Sequence, residues 1–370
     1  MARGIFPFGN AKRSGHHRWH QGSEADPDVS TERPPPPALF SDPSIPPEPP
    51  PWPAESSSWP AESSVSFAGP EGDVHDGPQQ WAPIIVDEPI VDFEPKPPAA
   101  HSYRPDTIFD GWSTEYFTVR LASVRGYSHR YRGVPRQDDA VVAFHQESGT
   151  VLFAVADGVS SASQSHLGAT TACTTAIAVM RWQLENENRT IDLGYAAYQA
   201  AERLTTQAAH MLGQDQVTPA AVEDLLATTL VTGYITPIPD GGTGAIIQIG
   251  DSSAWILEHD LYYPILEQKN DPHAQVISSA VSPLPRIPEH LTPIEFHLRP
   301  GAALLIGTDG FGDPLGDGEG KVGYLFAENL RTPPPSRGLA HLLDFSRDTF
   351  DDDRTLIVVW PRPYEPGALK

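Results

Sequence analysis

Proline sets the strongest limit on what this chain can fold into. The sequence has 370 residues and 40 prolines, and 21 of those prolines lie before residue 101. Runs such as Pro34–Pro37 and Pro49–Pro51 lack the backbone N–H donors that a helix or a central strand requires, so they predict polyproline II or coil. We therefore expect residues 1–111 to form a disordered proline-rich tail, with residues 363–370 as a short C-terminal tail.

Two segments of the tail stand out from this background. A hexapeptide at Trp52–Ser57 is repeated at Trp59–Ser64, which we interpret as drift in a linker, with a docking motif or a phosphorylatable serine cluster as the alternatives. Apolar residues return among acids at Trp81–Phe93. We interpret this segment as packing on its own domain, and binding of a partner is the alternative.

Residues 112–362 alternate apolar runs with turn residues and are long enough for one globular domain. Helical spacing at Leu167–Leu184 and Ala196–Leu212 predicts two long helices in succession. Apolar strand patterns precede and follow that pair, at Phe117–Ser123, Ala140–Phe144, Val151–Ala156, Thr228–Ile235, Gly244–Ile249, Ala254–Leu257, Ala303–Ile306 and Leu356–Trp360. This order predicts an α+β domain in which helices cover antiparallel sheets.

Composition narrows the classes of partner. The formal net charge is −23, which repels nucleic acid and anionic membrane surfaces and favours cations. The single cysteine, Cys173, cannot form an internal disulfide, and no Cys/His spacing indicates a zinc site. No apolar run reaches the length of a signal peptide core or a membrane span. We therefore expect a cytoplasmic protein that binds neither nucleic acid nor a membrane.

Aspartates occur where the predicted strands begin or end. Asp157-Gly158 follows Val151–Ala156, and Asp309-Gly310 follows the run that ends at Thr308. Further acids adjoin the strands at 140–144 and 356–360, namely Asp138, Asp139, Asp351, Asp352 and Asp353. Carboxylates that converge would repel each other unless divalent cations neutralised them, and hard oxygen ligands favour Mg²⁺ or Mn²⁺. Such a pair of ions suits the hydrolysis of phosphoesters.

An ordered series of short motifs now gives a specific resemblance. The motifs are Gln137-Asp138-Asp139-Ala140, Val155-Ala156-Asp157-Gly158-Val159, Ala227-Thr228-Thr229-Leu230, Ile249-Gly250-Asp251-Ser252-Ser253-Ala254-Trp255, Thr308-Asp309-Gly310 and Asp352-Asp353-Arg354-Thr355. Together they resemble the PPM (type 2C) family of metal-dependent Ser/Thr protein phosphatases. Gly126, His129 and Pro135 before Gln137-Asp138 resemble its bacterial branch. The resemblance implies a four-layer α-β-β-α sandwich of two antiparallel sheets flanked by helices.

The resemblance also implies a ligand set for two Mn²⁺ or Mg²⁺ ions and a third, weaker ion. Asp157 would bridge the two ions, and the Gly158 carbonyl would bind one of them. The other implied ligands are Asp309, Asp352, one of Asp138 and Asp139, and, for the third ion, Asp313. Alignment on Ala140 favours Asp139, whereas alignment on Gln137 favours Asp138.

Departures from the family pattern concern the substrate phosphate. Relatives hold it with an arginine near the first motif. The usual slot carries Val134 here, and Arg136 and Arg132 are the candidates to replace it. Val159, which follows Gly158, cannot transfer a proton, so protonation of the leaving group would fall to water. We interpret Asp251 as structural.

The leading hypothesis is a phosphoprotein phosphatase, with Asp157, Asp309 and Arg136 as catalytic residues and attack by water that the ions activate. One alternative is a catalytically silent domain of the same fold that binds a phosphoprotein or another partner. The other is an adaptor whose proline-rich tail binds a partner groove. The sequence leaves the oligomeric state open.

Overall fold

The computed structural model describes residues 84–90, 96, 104–186, 190–266 and 282–363. Within these residues, eleven strands form two antiparallel sheets. The six-stranded sheet has the order β1-β2-β11-β10-β7-β8 and consists of β1 (Thr107–Ser113), β2 (Phe117–Val124), β11 (Arg354–Pro361), β10 (Ala303–Gly307), β7 (Ser253–Glu258) and β8 (Leu261–Pro264). The five-stranded sheet has the order β3-β4-β5-β6-β9 and consists of β3 (Asp139–His145), β4 (Thr150–Ala156), β5 (Leu230–Ile238), β6 (Gly241–Ile249) and β9 (Ile294–Leu298).

Seven helices accompany the sheets in the described part of the chain. They are α1 (Tyr127–Arg132), α2 (Ser165–Glu185), α3 (Leu193–Leu212), α4 (Pro219–Leu226), α5 (Asp309–Leu315), α6 (Lys321–Leu330) and α7 (Ser336–Leu343). Helix α3 begins where the Asp192 carboxylate accepts a hydrogen bond from the Tyr195 amide, 2.9 Å away, and it ends at Gly213 in the left-handed conformation. Its buried stripe is rich in alanine, which allows close approach to α2.

Strand β4 shows how the layers arise, because all seven of its residues are buried. Side chains alternate between the two faces of a strand. Leu152, Ala154 and Ala156 therefore pack under the helices α2, α3 and α4, whereas Val151 and Phe153 meet the other sheet. A third cluster lies between the six-stranded sheet and helices α5 to α7. The observed architecture is the four-layer α-β-β-α sandwich, which confirms the predicted fold class.

Most predicted elements are confirmed, and the missed ones are short. Each of the eight predicted strands and both long helices match an observed element to within a few residues. Strands β8 and β9 and the helices other than α2 and α3 were not predicted, because their patterns are too brief to show a clear period. Strand β1 was also not predicted, because its seven residues do not alternate between buried and exposed positions.

The predicted ends of the domain are not tested in the same way. Strand β1 spans the boundary predicted at residue 112, and the boundaries at 111 and 362 stay predictions. Residues 1–83, including the Trp-Pro repeat, lie outside the described residues, and so do residues 364–370. Among the described residues, no helix combines the length and the apolar character that crossing a membrane would require.

Candidate metal centre

Carboxylates from both sheets meet at one end of the sandwich. Asp157 follows β4 and Asp251 follows β6 in the five-stranded sheet, whereas Asp309 follows β10 in the other sheet. Each of the three residues offers a carboxylate oxygen, and these atoms lie within 4.8 Å of one another. The structure thus brings together two of the predicted ligands and adds Asp251, which the sequence analysis had interpreted as structural.

Electrostatics show that the same cluster includes two more predicted ligands. Burial raises the pKa of Asp157 well above its usual range, and the nearby carboxylates of Asp138, Asp309 and Asp352 raise it further. Burial and the charge of Asp353 likewise raise the pKa of Asp138. We call Asp138, Asp157, Asp251, Asp309 and Asp352 the acidic cluster. Its carboxylates destabilise each other's charged forms unless a cation lies among them.

The structure distinguishes between the neighbours Asp138 and Asp139. Oδ2 of Asp138 accepts hydrogen bonds from the Thr308 hydroxyl at 2.7 Å and the Thr355 hydroxyl at 2.9 Å, which turns this carboxylate towards the acidic cluster. Oδ2 of Asp139 instead accepts a hydrogen bond from Thr170 on α2 and lies 3.5 Å from a guanidinium nitrogen of Arg104. This placement favours Asp138 of the two alternatives that the alignments left open.

Glycine follows Asp157 and Asp309 because other parts of the chain approach closely at these points. A Cβ atom on Gly310 would lie 1.9 Å from the carbonyl oxygen of Asp353, and one on Gly158 would lie 2.9 Å from the carbonyl oxygen of Gln137. The absence of a side chain at both glycines therefore lets the backbone of the first and last motifs pack close to the acidic cluster. In this respect the two Asp-Gly pairs differ from the tight turns that such pairs usually form.

Asp352 and Asp353 are adjacent but occupy different environments. The Asp352 side chain is half exposed, at 54%, whereas the Asp353 side chain is only 2% exposed. Oδ1 of Asp353 lies 2.8 Å from Nδ1 of His129 and accepts a hydrogen bond from the Gly126 amide at 2.6 Å. Burial alone would raise the pKa of Asp353, but the hydrogen bonds from His129 and two backbone amides lower it below its usual value.

Through these bonds, Asp353 attaches the loop that contains Asp352 to the residues around the first motif. The sequence offered two signals for this contact, since His129 occupies a motif position and Asp353 lies beside a predicted ligand. Neither signal identifies the partner, because the two residues lie far apart in the chain.

Arg136 lies inside the protein, beneath the acidic cluster. Its side chain is almost fully buried, and one guanidinium nitrogen donates to the Ser123 hydroxyl and, at 3.2 Å, to the Asp138 carbonyl oxygen. Its Nε atom has no hydrogen-bond partner among the described residues. Arg132, the other predicted candidate, is exposed at the end of α1 and donates to the Ser128 hydroxyl at 2.6 Å. The burial of Arg136 indicates that its positive charge has a structural role. Its contact with a substrate phosphate stays a prediction.

Arg104 is a residue of this site that the sequence analysis missed. Its guanidinium group donates to the carbonyl oxygens of Arg136 at 2.5 Å and Asp138 at 2.8 Å, and to the Thr170 hydroxyl at 3.1 Å. It therefore connects the first motif to helix α2. Arg104 lies in the stretch that was assigned to the tail, where no motif draws attention to it.

Asp313 lies one helical turn after Asp309 on α5, so the two side chains share a face of that helix. Its side chain is exposed, and it is not part of the group formed by Asp157, Asp251 and Asp309. Its role with a third ion stays a prediction, as does the role of the Gly158 carbonyl.

Comparison with protein-family models gives a match over residues 125–344, more than half of the chain, to the model described as Protein phosphatase 2C. The chain belongs to the protein phosphatase 2C family. This assignment confirms the resemblance inferred from the motifs. The match to the phosphatase 2C model ends before Asp352 and Asp353 and begins after Arg104, so these parts of the site lie outside it.

Several solved structures are similar to this phosphatase 2C chain. RsbX in complex with magnesium has 12% sequence identity, with 69% of this chain and 100% of that chain covered and a TM-score of 0.44. PppA of Pseudomonas aeruginosa has 19% identity, with 68% and 100% covered and a TM-score of 0.44. The catalytic domain of the serine/threonine phosphatase PstP with two manganese ions has 19% identity, with 66% and 98% covered and a TM-score of 0.45. Comparison with curated protein sequences gives no match.

Proposed function

We propose that this protein is a metal-dependent phosphatase that hydrolyses phosphoserine and phosphothreonine in protein substrates. The observation that carries the proposal is the convergence of Asp157, Asp251 and Asp309, whose carboxylate oxygens lie within 4.8 Å of one another. A cluster of like charges is costly in a fold unless it serves a cation, and burial together with the neighbouring carboxylates raises the pKa of Asp157. Membership of the protein phosphatase 2C family supports the same conclusion.

The donors of the acidic cluster fit two Mn²⁺ or Mg²⁺ ions. All of the side-chain donors are carboxylate oxygens, which hard cations prefer, and no thiol or imidazole of the described residues belongs to the group around Asp157. Asp157 would bind both ions, and the Gly158 carbonyl, Asp309, Asp352 and Asp138 would supply further ligands. Asp251 is within reach of the same ions, and Asp313 would help to hold a third. Bound ions of this kind supply a nucleophilic water near neutral pH and stabilise charge on the phosphoryl group.

The chain's own residues hold this arrangement in place. The hydroxyl groups of Thr308 and Thr355 fix one oxygen of Asp138 and leave the other oxygen for a ligand bond or a water. Beneath them, Arg136 supplies a buried positive charge that offsets part of the acidic charge, since Asp138, Asp139 and Asp353 all act on its guanidinium group. The exposed Arg132 is the arginine of the first motif that remains accessible to a substrate phosphate.

Hydrolysis of a phosphothreonine peptide in the presence of Mn²⁺ tests the proposal. We expect turnover that requires the metal and is abolished by Asp157→Ala or Asp309→Ala. Asp215→Ala, at an exposed position outside the acidic cluster, is the matched control and should retain full activity. Wild-type protein that binds Mn²⁺ and the phosphopeptide without hydrolysing it would instead favour the silent, phosphoprotein-binding alternative.

Substrate class, location and domain extent belong to the same proposal. We assign a phosphorylated protein as substrate and the cytoplasm as the location, where a chain with a single cysteine needs no disulfide. The phosphatase domain is assigned to the predicted residues 112–362, extended upstream to include Arg104 and strand β1. The adaptor alternative instead assigns the function to the proline-rich tail and the partner that it binds. Deletion of residues 1–83 separates the adaptor from the enzyme, because an adaptor loses its partner whereas the enzyme keeps its turnover.

A further inference from the structure

Residues 84–90 run alongside the loop that leads to Asp352. We call this segment the N-terminal strap. The Val86 amide donates to the Ser346 carbonyl at 2.9 Å, and the Ser346 amide donates to the Ile84 carbonyl at 2.8 Å, as between parallel strands. The Asp348 amide donates to the Glu88 carbonyl at 2.9 Å. These bonds confirm that this part of the Trp81–Phe93 segment packs on its own domain.

Side chains reinforce the backbone pairing of the strap. Val86 is 5% exposed and belongs to the apolar cluster beneath the six-stranded sheet, which also contains Phe345. The next residue, Asp87, forms ion pairs with Lys321 and with Arg347, whose Nε lies 3.7 Å away. Ile85, on the opposite side of the strap, is 54% exposed. The strap therefore has one anchored face and one solvent face.

Side chains hold other parts of the loop between α7 and β11, since Arg130 forms an ion pair with Asp344 at 2.7 Å and Arg347 donates to the Pro314 carbonyl at 3.0 Å. The two ends of the loop are held by Arg354, whose guanidinium group donates to the carbonyl oxygens of Leu343 and Phe345 and to that of Phe350. Beyond these, the Ser128 amide donates to the Asp351 carbonyl at 2.9 Å. The strap pairs with the middle of the loop, at Ser346 and Asp348, just ahead of Asp352.

We propose that the N-terminal strap is a positioning element of the metal centre. By pairing with Ser346 and Asp348, it orders the loop that carries Asp352 and Asp353, and it thereby sets the affinity of the acidic cluster for divalent cations. The inference deepens the proposed function, because it takes Asp352 as a ligand. The strap lies outside residues 125–344, so the family match does not account for it.

The experiment compares Val86→Asp with Ile85→Asp in the full chain. An aspartate at the buried position detaches the strap, whereas the same residue at the exposed position leaves it in place. Hydrogen exchange reports the protection of the Ser346 and Asp348 amides, and calorimetry reports the affinity for Mn²⁺ alone. We expect Val86→Asp to remove that protection and to weaken Mn²⁺ binding by about tenfold, which is typical when support for a ligand is lost.

Ile85→Asp should leave both readings at the wild-type values. Val86→Ala, which removes part of the apolar anchor and so loosens the backbone pairing without burying a charge, covers the case in which Val86→Asp does not fold. We expect it to give an intermediate loss of affinity with unchanged protection in strand β4. Loss of amide protection without any loss of Mn²⁺ affinity would overturn the proposal, and so would unchanged amide protection in Val86→Asp. Wild-type protein that binds Mn²⁺ but hydrolyses no phosphopeptide would count against the proposed function alone.

Discussion

Nδ1 of His129 lies 2.8 Å from Oδ1 of Asp353, and this contact joins helix α1 to the residue that precedes strand β11. Both side chains are buried. Burial alone would lower the pKa of His129, but the hydrogen bond and charge of Asp353 raise it above its usual value. The pair is thus a direct side-chain link from α1 to the last motif, in addition to the hydrogen bond from the Thr355 hydroxyl to Asp138.

Removing the imidazole should destabilise the protein. His129→Ala leaves the Asp353 carboxylate buried with two backbone amides as its remaining described donors, so we expect the free energy of unfolding to fall by about 3 kcal/mol. Denaturation in urea measures this change. His297→Ala is the control, because His297 is exposed and its Nε2 atom lies 3.0 Å from the backbone carbonyl oxygen of Asp240, not from a buried carboxylate. Equal effects of the two substitutions would contradict the assigned link.

Neutralising Asp157 should stabilise the metal-free protein while removing its response to metal. Burial and the neighbouring carboxylates raise the pKa of Asp157, so the wild-type protein loses stability as the pH rises through that value, and an asparagine cannot ionise. Between about pH 5 and about pH 8, we expect Asp157→Asn to gain about 1 kcal/mol over the metal-free wild type.

Thermal unfolding with EDTA or Mn²⁺ measures both effects of Asp157→Asn. Mn²⁺ should raise the Tm of the wild type and of the control Asp215→Asn, and it should leave the Tm of Asp157→Asn unchanged. A Mn²⁺ response that survives in Asp157→Asn would exclude this carboxylate as a ligand.

Replacing Arg104 with lysine should weaken the metal centre even though the charge is kept. The planar guanidinium group reaches two carbonyl oxygens and the Thr170 hydroxyl at once, and an ammonium group cannot reproduce that geometry. We expect Arg104→Lys to lower the affinity for Mn²⁺ by about tenfold, through movement of the Asp138 backbone. Calorimetric titration measures the affinity, with Arg203→Lys at an exposed position of α3 as the control. Equal Mn²⁺ affinities of Arg104→Lys and the wild type would show that Arg104 does not support the metal centre.

Cys173 should be unreactive in the folded protein. Its side chain is fully buried on α2, and burial raises the pKa of the thiol well above its usual value, with the charges of Asp139 and Asp138 adding to the effect. A free thiol becomes reactive as the pH passes about 8.5, because the thiolate is the nucleophile. We expect labelling by iodoacetamide to stay slow up to about pH 9 in the native protein and to become rapid in denaturant. Fast labelling of the native protein would show that α2 opens readily.

The sequence by itself determined the architecture and the nature of the site. A period of two marked the strands, helical spacing marked α2 and α3, and Asp157 and Asp309 appeared next to apolar strands. These signals are local, because burial on one face of an element leaves a periodic trace in the residues of that element alone. Their order along the chain was sufficient to identify the family.

The tertiary structure decided which residues meet. Asp138 and Asp139 have the same chemistry, but adjacent residues in extended chain face opposite ways, so only the packing of the sheets shows that Asp138 turns to the acidic cluster. The burial of Arg136, the contacts of Arg104, the His129–Asp353 pair and the strap on Ser346 all join residues that are distant in sequence or differ only in burial. No local pattern encodes such pairings, because they arise when separate elements pack against each other.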